Sequence, residues 1–81
     1  MAHRFTIVVV AATRDPHRQT EALRAALGLT LRGARVEVAV DPPLLTPLAQ
    51  RAADTLRAFG HAVGVALDDA LARADRVEVW T

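Results

Sequence analysis

The stretch Phe5-Thr6-Ile7-Val8-Val9-Val10-Ala11 decides the fold of this chain. Nearly all of its residues are apolar or β-branched, which is typical of a strand that is covered on both faces. The run is far too short to span a bilayer. It also lacks the small-residue cleavage pattern that follows the apolar region of a signal peptide. It therefore predicts a buried strand of a parallel sheet.

Helices and further strands alternate after this first strand. Three segments carry helix start and stop signals: Asp15-Pro16 to Gly33, Thr46-Pro47 to Gly60, and Asp68-Asp69 to Ala74. Three further segments have strand patterns: Ala34 to Val40, His61 to Leu67, and Arg76 to Trp80. The order βαβαβαβ predicts a single three-layer α/β domain over residues 1–81, with a four-stranded parallel sheet.

The polar faces of the strands predict their order in the sheet. The first strand is apolar throughout and belongs in the middle, whereas Arg35 and Glu37 give the second strand one wet face. The fourth strand, Arg76 to Trp80, is half-polar as well, so we expect strands two and four at the edges. The resulting order is 2-1-3-4, which is flavodoxin-like. It places helix one on one face of the sheet and helices two and three on the other.

Three helices leave part of such a sheet uncovered. On the side of helix one, strands three and four have no helix over them, and this bare face includes Ala62, Gly64, Ala66, Glu78 and Trp80. A flat surface of small residues beside a tryptophan suits a protein partner. We therefore expect a homo-oligomer that associates through these residues, a symmetric dimer being the commonest closed form.

Composition excludes several kinds of chemistry. The sequence has no Cys, and Ser, Tyr, Lys and Asn are absent too, which excludes thiol, serine and Schiff-base nucleophiles as well as thiolate metal sites. The histidines His3, His17 and His61 are isolated from one another, so we expect no metal site and no cofactor. We identify no catalytic residue set in the sequence.

The charge distribution argues against two classes of partner. Ten arginines and nine acidic residues give a net charge of +1, and the arginines are spread along the chain without a cluster. Only three aromatic residues are present. We therefore predict neither a nucleic-acid partner nor a membrane partner. A cytoplasmic location is the expectation that follows.

The loop after the first strand is an alternative functional site. Ligands bind at the carboxyl ends of the strands in open parallel sheets, and this edge gathers Thr13, Arg14, Asp15, His17 and Arg18, with Asp41 and Asp68 from neighbouring loops. A helix N-terminus beside two arginines can hold a small anion. The same residues can equally be a solvated loop with Asp15 as the helix cap. Two functions stay open: a non-catalytic, self-associating subunit, or a small-ligand or anion-binding module that uses Thr13, Arg14, His17 and Arg18.

Three segments resemble the DsrE/DsrF/DsrH group of small sulfur-relay proteins, which includes the TusBCD subunits. They are Phe5 to Val10, Thr20 to Val38, and Ala74 to Trp80. The resemblance implies a DsrE-like fold and an oligomer, with other sulfur-relay subunits as further partners. Such oligomers hand persulfide sulfur from one cysteine to another. Because this sequence has no cysteine, no catalytic residue carries over. The resemblance then implies a paralogue or subunit that does not carry sulfur.

Overall fold

The computed structural model describes residues 5–40 and 43–81. Three helices and four strands alternate along them: β1 Thr6–Ala11, α1 Pro16–Thr30, β2 Arg35–Val40, α2 Pro47–Ala58, β3 Ala62–Val63, α3 Leu67–Arg73 and β4 Arg76–Trp80. All neighbouring strands are parallel. The predicted α/β class with a four-stranded parallel sheet is therefore confirmed.

The strand order is β3-β2-β1-β4, which corrects the predicted order 2-1-3-4. β1 is central, as expected, but its neighbours are β2 and β4. Ile7 of β1 pairs with Val36 on one side and with Arg76 on the other. β3 lies outside β2, where Glu37 pairs with Ala62. The predicted order is wrong because the polar residues of β2 do not mark an edge strand.

α1 and α2 lie side by side on one face of the sheet, and α3 lies alone on the other, where it contacts β1 and β2. Right-handed crossovers explain this arrangement. The steps from β1 to β2 and from β2 to β3 run in the same direction, so α1 and α2 share a face. The step from β3 to β4 runs in the opposite direction and places α3 on the other face. The predicted pairing of the second and third helices is therefore wrong.

The main core lies between the sheet and the layer of α1 and α2. Side chains of β1, β2, α1 and α2 form it: Ile7, Val9, Ala11, Ala22, Leu23, Ala26, Val36, Val38, Ala49, Ala52, Ala53 and Leu56. Side chains alternate along a strand, so the remaining residues of β1 and β2, such as Val8 and Glu37, face α3. Both faces of the two central strands are thus covered.

Local signals set the starts of α1 and α2 as the sequence predicts. The Asp15 carboxylate accepts hydrogen bonds from the main-chain N–H groups of His17 and Arg18 at the start of α1. The Thr46 hydroxyl accepts one from the Ala49 N–H at the start of α2. Both α1 and α2 have a proline in the first turn, where the missing N–H costs nothing. The predicted start of the third helix at Asp68-Asp69 is wrong, because α3 begins at Leu67 without a side-chain cap and both aspartates lie in its first turn.

The third strand is much shorter than predicted. A strand from His61 to Leu67 was expected, but β3 contains only Ala62–Val63. Gly64 ends it, because its φ of +88° lies in the left-handed region that glycine adopts readily. The Gly64 N–H still donates to the Val38 carbonyl at 2.8 Å. One edge of the sheet is therefore very short, while the β4 edge is longer.

Candidate functional site

The loop after β1 carries the residues predicted to bind an anion. Thr13 is buried, and its hydroxyl accepts a hydrogen bond from the Asp15 N–H at 3.1 Å. The Asp15 Oδ1 atom accepts from the N–H groups of His17 (2.8 Å) and Arg18 (3.3 Å). These are the N–H groups that an anion at the start of α1 would use. The carboxylate of the chain itself occupies that position.

Arg18 contacts β4 and the residue that follows it. Its Nε donates to the Thr81 carbonyl at 2.9 Å. Its guanidinium carbon lies 5.4 Å from the centre of the Trp80 ring, which is cation–π distance. Trp80 also packs against the main core. Arg18 therefore joins α1 to the end of β4, and this intramolecular role accounts for both side chains.

The other charged residues of the predicted anion site have separate surroundings. His17 is exposed, and its Nε2 lies 3.6 Å from the Glu21 carboxylate one turn along α1. Arg14 is exposed in the loop. Asp41 lies outside the described residues, and Asp68 is in the first turn of α3. Anion binding at this loop stays a prediction, and the geometry around Asp15 does not favour it.

A groove of about 400 Å³ opens at the carboxyl ends of β1 and β2, beside the start of α3. Ligands bind at this edge in open parallel sheets, but the described side chains that line the groove are all apolar: Val10, Ala12, Ala39, Val40, Val65, Ala66 and Leu67. Acid–base or nucleophilic catalysis needs a titratable or nucleophilic side chain within hydrogen-bond reach. Among residues 5–40 and 43–81 the lining supplies none, and its described surface is suited to apolar contact.

An ion pair between Glu37 of β2 and Arg73 of α3 holds α3 on the sheet. Arg73 Nε lies 3.1 and 2.9 Å from the two carboxylate oxygens, and Nη2 lies 2.6 Å from Oε1. Arg35 Nε is 3.8 Å from the same carboxylate. The Glu37 side chain is only 1% exposed, so the predicted wet face of β2 is wrong. A carboxylate tolerates such burial because a guanidinium faces it.

The pKa of Glu37 is lowered from its ordinary value. The hydrogen bond from Arg73 is the largest cause, and the positive charges of Arg73 and Arg35 act in the same direction, whereas burial opposes them. A shifted carboxyl group in a cleft can indicate catalysis. Here the bond that fixes α3 explains the shift, and we assign Glu37 a structural role.

Apolar side chains are exposed on the α3 side of the sheet. Val77 and Val79 of β4 point to this side, because they pair with Val8 and Val10 of β1, which face away from the main core. α3 covers β1 and β2 but leaves β4 bare within the described residues. Four residues here are 42–60% exposed, and we call them the α3-side surface: Leu67, Leu71, Val77 and Val79.

The structure does not bring the predicted interface residues together. Ala62 is in β3, and Gly64 and Ala66 follow it at one edge of the sheet, whereas Glu78 and Trp80 lie in β4 at the opposite edge. Two intervening strands separate the two groups. The predicted surface depended on strands three and four being neighbours. With the observed order, the bare part of the sheet is on the α3 side.

Gln19 is a buried polar residue that the sequence patterns do not single out. Its side-chain amide donates to the Pro43 carbonyl at 2.9 Å and accepts from the Leu45 N–H at 2.8 Å. These bonds fix the segment before α2 against α1. The available signal was its spacing, because Gln19 lies three and four residues before the buried Ala22 and Leu23 and so shares their helix face.

His61 replaces a missing strand partner at the edge of β2. Its Nδ1 accepts a hydrogen bond from the Val36 N–H at 3.1 Å, at a point that precedes the first residue of β3. His61 is 7% exposed. A buried main-chain N–H without an acceptor is costly, so His61 has a structural role.

The described part of the chain contains no group of three or more His, Cys, Asp or Glu side chains that could hold a metal ion; His3 lies outside it. None of the described helices has the length and apolar character needed to cross a membrane. Comparisons with protein-family models, with curated proteins and with solved structures find no match to this chain. The resemblance to the DsrE group therefore rests on the sequence segments quoted above.

Proposed function

We propose that this chain is a non-catalytic structural subunit that associates with copies of itself through the α3-side surface. The observation that supports this most is the exposure of Leu67, Leu71, Val77 and Val79 on one side of the sheet. Leu67 and Leu71 lie one turn apart on α3, and Val77 and Val79 lie on the same side of β4. Single apolar residues scattered over a surface are normal, whereas several on one side of a sheet indicate an interaction site. Parallel sheets are ordinarily covered on both faces, and the β4 part of this face has no helix over it within the described residues.

A second copy of the chain is the partner that fits this surface. A standard contact takes about 800 Å² from each partner, which is about one-sixth of the 5015 Å² surface of this chain. The net charge of +1 produces little repulsion between copies. A two-fold axis brings the same surface of both copies together, which is the commonest arrangement in homo-oligomers.

A structural role also agrees with what the chain lacks. The groove beside α3 has an apolar lining, and the sequence has no cysteine to carry sulfur. The resemblance to the DsrE group supports a place beside sulfur-relay subunits without transfer of sulfur by this chain. Self-association and assembly with such subunits would use the same apolar surface.

Replacement of Val77 by lysine tests self-association. Val77→Lys places a charge in a contact that is apolar in the wild type, so the dissociation constant should rise by about tenfold or more. The matched control is Leu31→Lys, which changes an exposed apolar residue at the end of α1, the helix on the opposite face of the sheet from α3. Sedimentation velocity at micromolar concentration measures both variants. If the dissociation constants of Val77→Lys and Leu31→Lys are equal, the proposed surface is overturned.

A further inference from the structure

We infer that two copies of the chain pair antiparallel through β4, so that two four-stranded sheets join into one sheet of eight strands. This inference rests on the proposed self-association and specifies its geometry: the two copies meet at the β4 edge of the α3-side surface, where Val77 and Val79 lie, and the two surfaces stand side by side on one face of the joined sheet. β4 is an edge strand, with β1 as its one neighbour in the described sheet. The opposite edge, β3, has only two residues, which is below the usual length of a strand, so β4 offers the longer edge for pairing.

The free edge of β4 presents main-chain groups to a partner. The Ala12 N–H donates to the Trp80 carbonyl at 2.9 Å, so the main-chain groups of Trp80 point to β1. These groups alternate in direction along a strand, so those of Val77 and Val79 point away from the sheet. An edge of this kind is a template for pairing with another chain. β4 contains neither proline nor lysine, two residues that commonly prevent such pairing.

Several registers place outward main-chain groups of the two β4 strands opposite each other, and the charges of the side chains favour one of them. With the two-fold axis at Val77, Arg76 of each copy lies opposite Glu78 of the other, and symmetry repeats the pair. With the axis at Glu78, two carboxylates face each other. With the axis at Val79, Glu78 faces Trp80. Opposite charges stabilise a cross-strand pair and like charges destabilise it, so we assign the axis to Val77.

The side chains of this ion pair are positioned for a partner. Arg76 and Glu78 lie on the same side of β4, 3.6 Å apart, and are 63% and 28% exposed. Pairing would exchange the two weak contacts within the strands, one in each copy, for two contacts between the strands. On the other side of the sheet, Val77 of each copy lies beside its counterpart. The two α3-side surfaces then become continuous across the axis.

Single cysteines test this register, because the chain has no cysteine of its own. In a hydrogen-bonded antiparallel pair the two Cα atoms are about 5.5 Å apart, which is within the range for a disulfide. Val77→Cys should therefore form a covalent dimer under mild oxidation. Val79→Cys is the matched control, because its two copies would be roughly 14 Å apart in this register. We expect Val77→Cys to react about tenfold faster or more.

The other outcomes overturn the inference in distinguishable ways. Faster dimer formation by Val79→Cys, or by a mixture of the two variants, would assign the axis to Val79 or Glu78 and overturn the register. Rates no greater than that of Leu31→Cys would overturn β4 pairing altogether. Sedimentation of the wild type separates these results from failure of the proposed function. A monomeric wild type overturns both proposals, whereas an associating wild type without faster reaction of the Val77→Cys variant overturns β4 pairing alone.

Charge reversal gives an independent test of the same pair. Arg76→Glu places carboxylates opposite each other in both cross-strand pairs and should weaken association by about tenfold. Glu78→Arg should have a similar effect, because guanidinium groups then face each other. The double variant exchanges the charges and should restore association to about the wild-type strength. Additive weakening in the double variant would contradict the pairing.

Discussion

Replacement of Glu37 by glutamine should loosen α3 from the sheet. The Glu37 carboxylate accepts hydrogen bonds from both Nε and Nη2 of Arg73. Ala70 is the one residue of α3 that is fully buried. The ion pair is therefore a principal attachment of a helix of seven residues. Glu37→Gln keeps the size of the side chain but removes its charge and replaces one acceptor oxygen with an amide nitrogen.

The structure sets the size of the expected effect. Loss of one partner from a fully buried ion pair costs about 3–5 kcal/mol. Arg73 is 47% exposed, and the glutamine oxygen keeps one acceptor, so we expect a loss of about 1–2 kcal/mol. A domain of this length has a free energy of unfolding of about 4–12 kcal/mol. Each kcal/mol lowers the Tm of such a domain by about 4–8 °C.

Thermal unfolding followed by circular dichroism measures this effect. Asp54→Asn is the matched control, because it makes the same change in an exposed ion pair, in which Asp54 lies 3.6 Å from Arg57. Exposed pairs contribute about 0–1 kcal/mol, so the Tm of the control should stay near that of the wild type. Equal losses of Tm in the two variants would refute the structural role of Glu37.

The effect of Glu37→Gln should depend on pH in a defined direction. The pKa of Glu37 is lower in the folded chain than its ordinary value of 4.5, so the unfolded chain takes up the proton first as the pH falls. The stabilisation is complete above 4.5 and is lost as the pH falls through the lowered value. The difference in Tm between wild type and Glu37→Gln should be constant from about pH 6 to pH 8 and shrink in acid. A difference that grows in acid would contradict the sign of the shift.

Two buried residues give the remaining predictions. His61→Ala removes the acceptor of the Val36 N–H and should cost about 1–3 kcal/mol. It should also raise the hydrogen-exchange rate of that N–H, and an unchanged rate would contradict the assigned bond. Leu56→Ala removes a side chain that is 0% exposed in the main core and should cost about 2–5 kcal/mol in chemical denaturation. A loss of less than about 1 kcal/mol would mean that α2 is not packed there as described.

The elements could be predicted from the sequence because local chemistry sets their bounds. Asp15 and Thr46 begin the helices they were expected to begin, since each supplies an acceptor for otherwise unpaired N–H groups. β4 has the predicted bounds Arg76–Trp80. β3 was overestimated because alternating valines suggest a strand, while the positive φ of Gly64 interrupts it.

The strand order could not be predicted because it depends on distant contacts. Alternation shows that Glu37 lies on the face of β2 opposite the valines, but not what covers that face. Arg73, 36 residues away, buries it together with α3. The predicted interface depended on the predicted strand order. It therefore joined residues that the observed sheet places at opposite edges. The sequence predicts a bare part of the sheet on the side of helix one, over strands three and four, whereas the exposed apolar residues of the structure lie on the α3 side.

Sedimentation equilibrium of the wild-type chain tests self-association most directly. Its weight-average mass should rise with concentration, from 8.7 kDa for the single chain toward about twice that value for a symmetric dimer. A mass that stays at 8.7 kDa through the high-micromolar range would contradict self-association through the α3-side surface.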